Sequence, residues 1–377
     1  MKVKIHDLFA YLLETAEVMP EAALGLSLSR SPTLGEYLSD LDPAMSLDWN
    51  GRSFLGLPEL RGHVLRQAGL EGICAPDDVL ITAGAAEANY LALMQNVEPG
   101  DRLVVEAPGW PQAEVIGRAI GAEIVRVERR EEECWALPLD RLEAAAAGAR
   151  MILLTNPNNP TGRLMGRAEL MEAARIAEAA GAWLLIDEVY AGLEWEGPRA
   201  PSVAGLSSRG ITTGSVSKAL GLQGLRIGWL ICRDAGVVRD AMILRENGSE
   251  IMNVLGEAIA EVALRPDRLG AALARARAEG RANLDVLDAF VAGEEGLSWV
   301  RPQAGLIGLA RLPDGVEAAP LARALLAPPN RTFVIPGDAY GQPRHLRLGV
   351  GGGPEAALGK GLARLSHALR SGAGASG

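Results

Sequence analysis

The chain has 377 residues, of which 48% are hydrophobic and 22% charged, with a formal net charge of −10 and a pI near 5.1. That length exceeds one ordinary domain, and the composition suits a globular enzyme with a full core. The acidic balance, with no basic run or Lys/Arg stripe, argues against a nucleic-acid surface or an anionic membrane partner.

In chain order, the start "MKVKIHDLFAYLLE" reads as an amphipathic helix. Asp7 and Glu14 interrupt its apolar patch and no small-residue cleavage site follows, so it does not read as a signal peptide. No run approaches the length of a membrane span. Cys74, Cys134 and Cys232 lie far apart, which reads as reduced thiols in a cytoplasmic protein. There is no CxxC, HExxH or Cys/His cluster, so no metal site is expected.

From about residue 57 to 232, short apolar or β-branched runs ("DDVLIT", "DRLVVEAP", "GAEIVRVE", "MILLTN", "AWLLIDEVY", "GITTGSVS", "GWLICR") alternate with alanine-rich stretches such as "AAEANYLALMQNV". This pattern predicts an α/β fold with a mostly parallel sheet flanked by helices. A helical region follows at roughly 234–292. Residues 293–370 hold strand-like runs and a terminal helix, a smaller α+β unit. The tail "SGAGASG" is flexible by composition.

Just past the carboxyl ends of five strand-like runs come "TAGAAEAN", "APGWPQ", "TNPNNPTG", "IDEVYAG" and "SVSKALG". In an open α/β sheet a ligand site lies outside those ends. "TAGAAEAN" is a strand, a turn at Gly84 and a helix start; the amides of Ala85 and Ala86 either close a tight turn or offer donors to a phosphate. The two Asn-Pro pairs of "NPNNPTG" make a rigid turn that would aim the amide of Asn159. Asp187 ends an apolar strand and wants a cationic partner. Tyr190 is either core or projects into the same crevice. Trp110 is either a loop aromatic at a domain seam or a platform for a flat ring. Lys218 is either a solvated loop residue or a reactive amine, with Ser215, Ser217 and Arg226 holding something anionic beside it.

Together these parts describe a flat aromatic ligand with a phosphate, a basic ring nitrogen and an electrophile that a lysine captures. Pyridoxal 5′-phosphate fits each feature. Its aldehyde would form a Schiff base with Lys218. A carboxylate on its pyridine nitrogen would make the ring an electron sink.

From about residue 47 to the end the sequence resembles the class I/II aminotransferases, fold-type I enzymes dependent on pyridoxal phosphate. The resemblance rests on "SVSKALGLQGLRIGW", "NPNNPTG", "DEVY" and "VIPGDAYGQPRHLRLGV", in family order and at typical spacings. It implies that Lys218 is the Schiff-base lysine and Asp187 the partner of the pyridine nitrogen. Tyr190 and Asn159 would serve the ring hydroxyl oxygen, and Trp110 would stack on the ring. Ser215, Arg226 and the Ala85–Ala86 amides would form the phosphate cup. Arg347 would grip the substrate α-carboxylate.

Three features depart from the family. Ala86 stands where many relatives carry a hydroxyl, Trp49 is displaced from Gly56 by extra residues, and "SLSRSPTLGEYL" replaces the usual Gly-x-Pro loop. The expected organisation is an N-terminal segment (1–46) joining the small domain, a large cofactor-binding domain (47–285), the C-terminal small domain (286–370) and a tail (371–377). The expected activity is transamination between an α-amino acid and a 2-keto acid by a cytoplasmic homodimer. A β-lyase or biosynthetic cyclase on the same fold is the alternative, and a non-catalytic sensor of the cofactor is the remote one.

Overall fold

The computed structural model describes residues 2–48, 53–351 and 355–374; Trp49 and the end of the expected tail lie outside them. The chain opens with α1 (Asp7–Glu14), which buries Leu8 and Tyr11 at helical spacing, and the short strand β1 (Ala22–Ala23). After α2 (Pro58–Ala68) strands and helices alternate as the sequence predicts. They are β2 (Val79–Thr82), α3 (Ala85–Asn96), β3 (Arg102–Ala107), α4 (Gln112–Ile120), β4 (Glu123–Glu128), α5 (Leu139–Ala146), β5 (Ala149–Thr155), α6 (Arg167–Ala180), β6 (Trp183–Asp187), α7 (Val203–Leu206), β7 (Gly210–Ser215) and β8 (Gly228–Cys232).

Strands β2 to β8 form one sheet in the order β2-β8-β7-β6-β5-β3-β4. Only β8 runs antiparallel to its neighbours. Along β5, Met151 and Leu153 pack with Leu91 and Leu185 on one face. Ile152 and Leu154 pack with Leu142 and Leu170 on the other. A strand covered by helices on both faces must be apolar at successive positions, which is what "MILLT" supplies. The chain steps outward from β3 to β4, then returns to β5 and continues through β6 to β7. That reversal between the neighbours β3 and β5 opens a crevice at their carboxyl ends.

Helices α8 (Ala235–Glu246), α9 (Val254–Ala263) and the 28-residue α10 (Pro266–Gly293) follow. Leu269 and Ala272 of α10 pack on the cluster around Val216 and Trp229. Its Leu284, Leu287 and Val291 belong to a separate core with Leu346 and Leu348. The expected boundary at 285/286 therefore falls inside one unbroken helix, whose periodicity continues while the partner of its apolar face changes.

The last elements are β9 (Ser298–Trp299), β10 (Ile307–Arg311), α11 (Ala318–Leu326), β11 (Thr332–Phe333), β12 (Ile335–Pro336), β13 (His345–Gly349) and α12 (Glu355–Arg370). Four of the strands make an antiparallel sheet in the order β12-β13-β10-β9. β1 pairs in parallel with β11, which ties the start of the chain to this unit.

Candidate active site

A cavity of about 350 Å³ opens at the carboxyl ends of the central strands, closed on one side by residues 25–28. Its lining includes Ala85, Ala86, Trp110, Asn159, Asp187, Tyr190, Ser215, Ser217, Lys218, Arg226 and Arg347. Gly84 lies just behind that lining. The five peptides singled out from the sequence thus converge on one space.

One end of the cavity is built for an anion. Gly84 precedes α3 at φ +92 and, having no side chain, leaves the first-turn amides uncapped. The helix dipole and those amides favour negative charge there. A Cβ on Gly84 would stand 2.4 Å from the Arg226 guanidinium, whose Nη2 donates to the Ala83 carbonyl at 2.9 Å. Arg226 itself takes φ 54, in the left-handed region that non-glycine residues seldom enter. Gly228 lets β8 approach equally closely, because a Cβ there would meet the Gly84 carbonyl carbon at 2.4 Å. Ser215 closes the cup, its Oγ accepting from the Ser217 amide at 3.2 Å.

Asp187 is buried at the opposite side. Its Oδ2 accepts from Asn89 Nδ2 at 2.8 Å and its Oδ1 from the Val189 amide at 3.0 Å. Asn89 is fixed in turn by Thr213 Oγ1, 2.6 Å from its Oδ1. Burial pushes the carboxyl above the usual range; the Asn89 and Val189 donors and the charge of Lys218 oppose that rise. The cationic partner expected from the sequence is not a protein residue: among the described residues Asp187 forms no ion pair. Its open side faces the cavity.

Lys218 follows β7 and reaches the same space. Its Nζ donates to Ser27 Oγ at 3.2 Å and lies 5.9 Å from the centre of the Tyr190 ring. Burial, helped by the nearby charge of Arg347, lowers its pKa to about 8, with Asp187 pulling the other way. The bland reading of a solvated lysine does not describe this amine.

In the turn 155–162 the carboxamides divide their tasks. Asn158 ties the turn together, its Oδ1 accepting from Thr161 Oγ1 at 2.6 Å and its Nδ2 donating to the Pro108 carbonyl at 3.3 Å. Asn159 is left to face the cavity, where its Oδ1 accepts from Arg347 Nη1 at 3.3 Å. Arg347 lies on β13 between Leu346 and Leu348, which point into the core as the alternation predicts. Its guanidinium is buried and held by neutral acceptors: the Tyr340 hydroxyl at 2.7 Å and the Gly25 carbonyl at 2.8 Å. Nε has no partner, and no carboxylate lies within ion-pair reach among the described residues. A buried cation in that state calls for an anion from outside.

Four further residues belong to the site without having been singled out from sequence. Asn89 sits on the buried face of an alanine-rich helix, a signal that sequence reading could have used. Gln112, in the quoted "APGWPQ", donates to the Ala86 carbonyl at 2.7 Å. Tyr340 lies in the quoted "GDAYG". Ser27 opens the quoted "SLSRSPTLGEYL", which stands in place of the Gly-x-Pro loop, but that irregular segment has no periodicity to single it out.

The donor set fits pyridoxal 5′-phosphate. A cradle with no room for a Cβ, one arginine and uncapped helix amides suit the phosphate. A buried carboxylate suits the ring nitrogen, and a lysine amine of lowered pKa suits the aldehyde. Residues 54–365 match the family described as aminotransferase class I and II. The aspartate aminotransferase of Streptomyces avermitilis is 29% identical over 334 residues, covering 83% of this chain and 80% of that protein. The capreomycidine synthase of Streptomyces vinaceus is 29% identical over 346 residues, covering 89% and 87%. A PLP-dependent aminotransferase from Streptococcus suis superposes with a TM-score of 0.89 at 28% identity, covering 98% of this chain and 99% of that one. The chain belongs to the class I and II aminotransferases: it is a pyridoxal-phosphate-dependent enzyme of fold type I.

Proposed function

We propose that this aminotransferase uses Lys218 as the base at the substrate α-carbon and Arg347 as the clamp on the α-carboxylate, passing the amino group to a 2-keto acid. The observation that carries the reading is a buried guanidinium, with no carboxylate partner among the described residues, lining the same cavity as the largely buried amine of Lys218. Pyridoxal 5′-phosphate, when bound, supplies an electrophilic carbon and an electron-withdrawing ring.

The protein does the rest. Arg226, Ser215 and the amides after Gly84 hold the phosphate. Asp187, oriented by Asn89, keeps a proton on the ring nitrogen. Trp110 offers a flat face, while Tyr190 and Asn159 stand ready to bond the ring hydroxyl oxygen. The two-pronged guanidinium of Arg347 fixes the carboxylate and with it the direction of the Cα–H bond. Near neutral pH a useful fraction of the Lys218 amine is unprotonated, so Nζ takes the α-proton and later returns it.

The kinetic test is a two-substrate analysis. Transamination requires parallel (ping-pong) reciprocal plots and a keto-acid product formed only with stoichiometric acceptor. A second reading, cyclase or β-lyase chemistry, draws support from the capreomycidine synthase relative, whose identity equals that of the aspartate aminotransferase. Multiple turnovers without any acceptor would favour it.

We also propose a C2 homodimer, which the family resemblance supports, and a cytoplasmic location, in keeping with three unpaired cysteines. A fully active monomer in light scattering would overturn the first. Among the described residues no helix is long and apolar enough to cross a membrane.

A further inference from the structure

We infer that the site selects α-amino acids with an uncharged apolar side chain, aliphatic or aromatic, over dicarboxylic and cationic ones; this rests on the transamination reading above. The cavity lining divides into two parts. One is accounted for by the cofactor and the α-carboxylate. Most of the other is carbon: Leu8 and Leu12 of α1, Leu26 and Leu28 of the crossing segment, Phe333 of β11 and Ile335 of β12.

These side chains stand around the carboxylate clamp. Ile335 is the register partner of Arg347 across β12 and β13. Leu26 follows Gly25, whose carbonyl accepts from Arg347 Nη2. Leu8 and Ile335 form one apolar cluster, with Phe333 and Trp110 packed against it. A substrate with its carboxylate on Arg347 and its α-carbon toward Lys218 therefore meets hydrocarbon beside the clamp.

The charges in the cavity are already committed. Among the described residues its cations are Lys218, Arg226 and Arg347, and its one carboxylate is Asp187. Arg226 lies at the phosphate cup and Asp187 is held by Asn89. None stands on the wall of α1, β11 and β12. A distal carboxylate or guanidinium placed there loses water without gaining a partner from the described residues of this chain. A methylene placed there gains about fourfold in binding.

The test uses the holoenzyme. Half-reactions with L-leucine, L-phenylalanine, L-alanine, L-aspartate and L-arginine are followed by the change in cofactor absorbance. Leucine and phenylalanine should exceed alanine in kcat/KM by about tenfold or more, and the charged pair by about a hundredfold. Unreactive analogues give a binding readout: 4-methylpentanoate should perturb the holoenzyme spectrum at concentrations at least about tenfold below succinate. Leu12 is partly exposed, so Leu12→Arg should fold, and it should shift the leucine-to-aspartate ratio toward aspartate by about tenfold. A wild-type preference for aspartate or arginine, with succinate binding the tighter, overturns the inference and leaves transamination intact. Failure of every amino acid to react overturns the transamination reading, and the analogue ratio then still decides whether the wall is apolar in function.

Discussion

The hydroxyl of Ser27 lies 3.2 Å from the amine of Lys218, across 191 positions of sequence. Two residues earlier, the Gly25 carbonyl accepts from Arg347 at 2.8 Å, across 322 positions. A single irregular stretch near the start of the chain thus touches both the base and the clamp of the proposed mechanism. Removing the hydroxyl leaves the amine free to rotate away from its working position. Ser27→Ala is expected to lower kcat about tenfold, the worth of one buried hydrogen bond, with KM nearly unchanged. Ser27→Thr should recover most of that rate. A purely structural Ser27 would instead lower Tm in the alanine variant and leave kcat where it was.

The buried amine also leaves a mark on the cofactor-free protein. Lys218 has its folded pKa lowered from 10.5 to about 8, so folding opposes its charge. The penalty is complete below pH 8, where both states hold the proton. It fades as pH rises from 8 to 10.5 and the unfolded chain loses its proton as well. At pH 7 the full penalty is about 3 kcal/mol. Lys218→Met removes it, and should make the apoprotein more stable at pH 7 by up to about that amount in urea unfolding. The gap should close toward pH 10.5. A gap that does not change with pH would count against an amine disfavoured by burial.

The anion cup is tested at its tightest point. Gly84 takes φ +92, and a Cβ there would stand 2.4 Å from Arg226 Nη2. Gly84→Ala must strain the backbone and displace the guanidinium. The expected result is a folded protein whose affinity for pyridoxal 5′-phosphate falls about tenfold to a hundredfold, with affinity for phosphate-free pyridoxal little changed. Equal losses for both ligands would place the phosphate elsewhere.

Asp187 and Asn89 make a graded pair. Asparagine at 187 keeps the shape but cannot hold a ring proton, so Asp187→Asn should cost several kcal/mol of transition-state stabilisation, about a hundredfold or more in kcat. Asn89→Ala removes the 2.8 Å donor to Oδ2, together with the acceptor of Thr213 Oγ1, but keeps the carboxylate, so it should cost less in kcat, with the cofactor absorption spectrum shifted in its pH dependence. If Asp187→Asn keeps most of its activity, the carboxylate is structural.

The central sheet and the cofactor end of the site were legible because their signals are local. A β-branched run followed by Gly, Pro or Asp reports where a strand stops, and a ligand site lies beyond such stops. Lys218, Asp187 and Asn159 each sit within a few residues of one, and Arg226 lies just before the start of the antiparallel β8, at the same end of the sheet. What could not be read was whatever depends on long-range docking. Gly25 and Ser27 lie in an irregular segment, and their task arises only when β1 pairs with β11. The middle of α10 gives the same lesson in reverse: its periodicity is unbroken, so nothing local reveals that its partner core changes between Ala272 and Leu284.

Arg347 decides whether the substrate is an α-amino acid at all. The guanidinium is buried on β13 and hydrogen-bonded by Tyr340, Asn159 and the Gly25 carbonyl, with no carboxylate to neutralise it. A structural role would need such a carboxylate, and among the described residues none is in reach. Lysine at this position keeps the charge but not the planar fork, and it would abandon some of the three acceptors that now aim the group. The α-carboxylate would then be held at one point instead of two, and the Cα–H bond would no longer be directed at Lys218 Nζ. Arg347→Lys is therefore expected to lower kcat/KM for amino acids about a hundredfold or more, while affinity for pyridoxal 5′-phosphate stays normal. Primary amines lacking a carboxylate should react poorly with the wild type and lose little further in the variant. An unchanged kcat/KM for amino acids in Arg347→Lys would move the carboxylate contact away from β13 and remove the clamp from the mechanism.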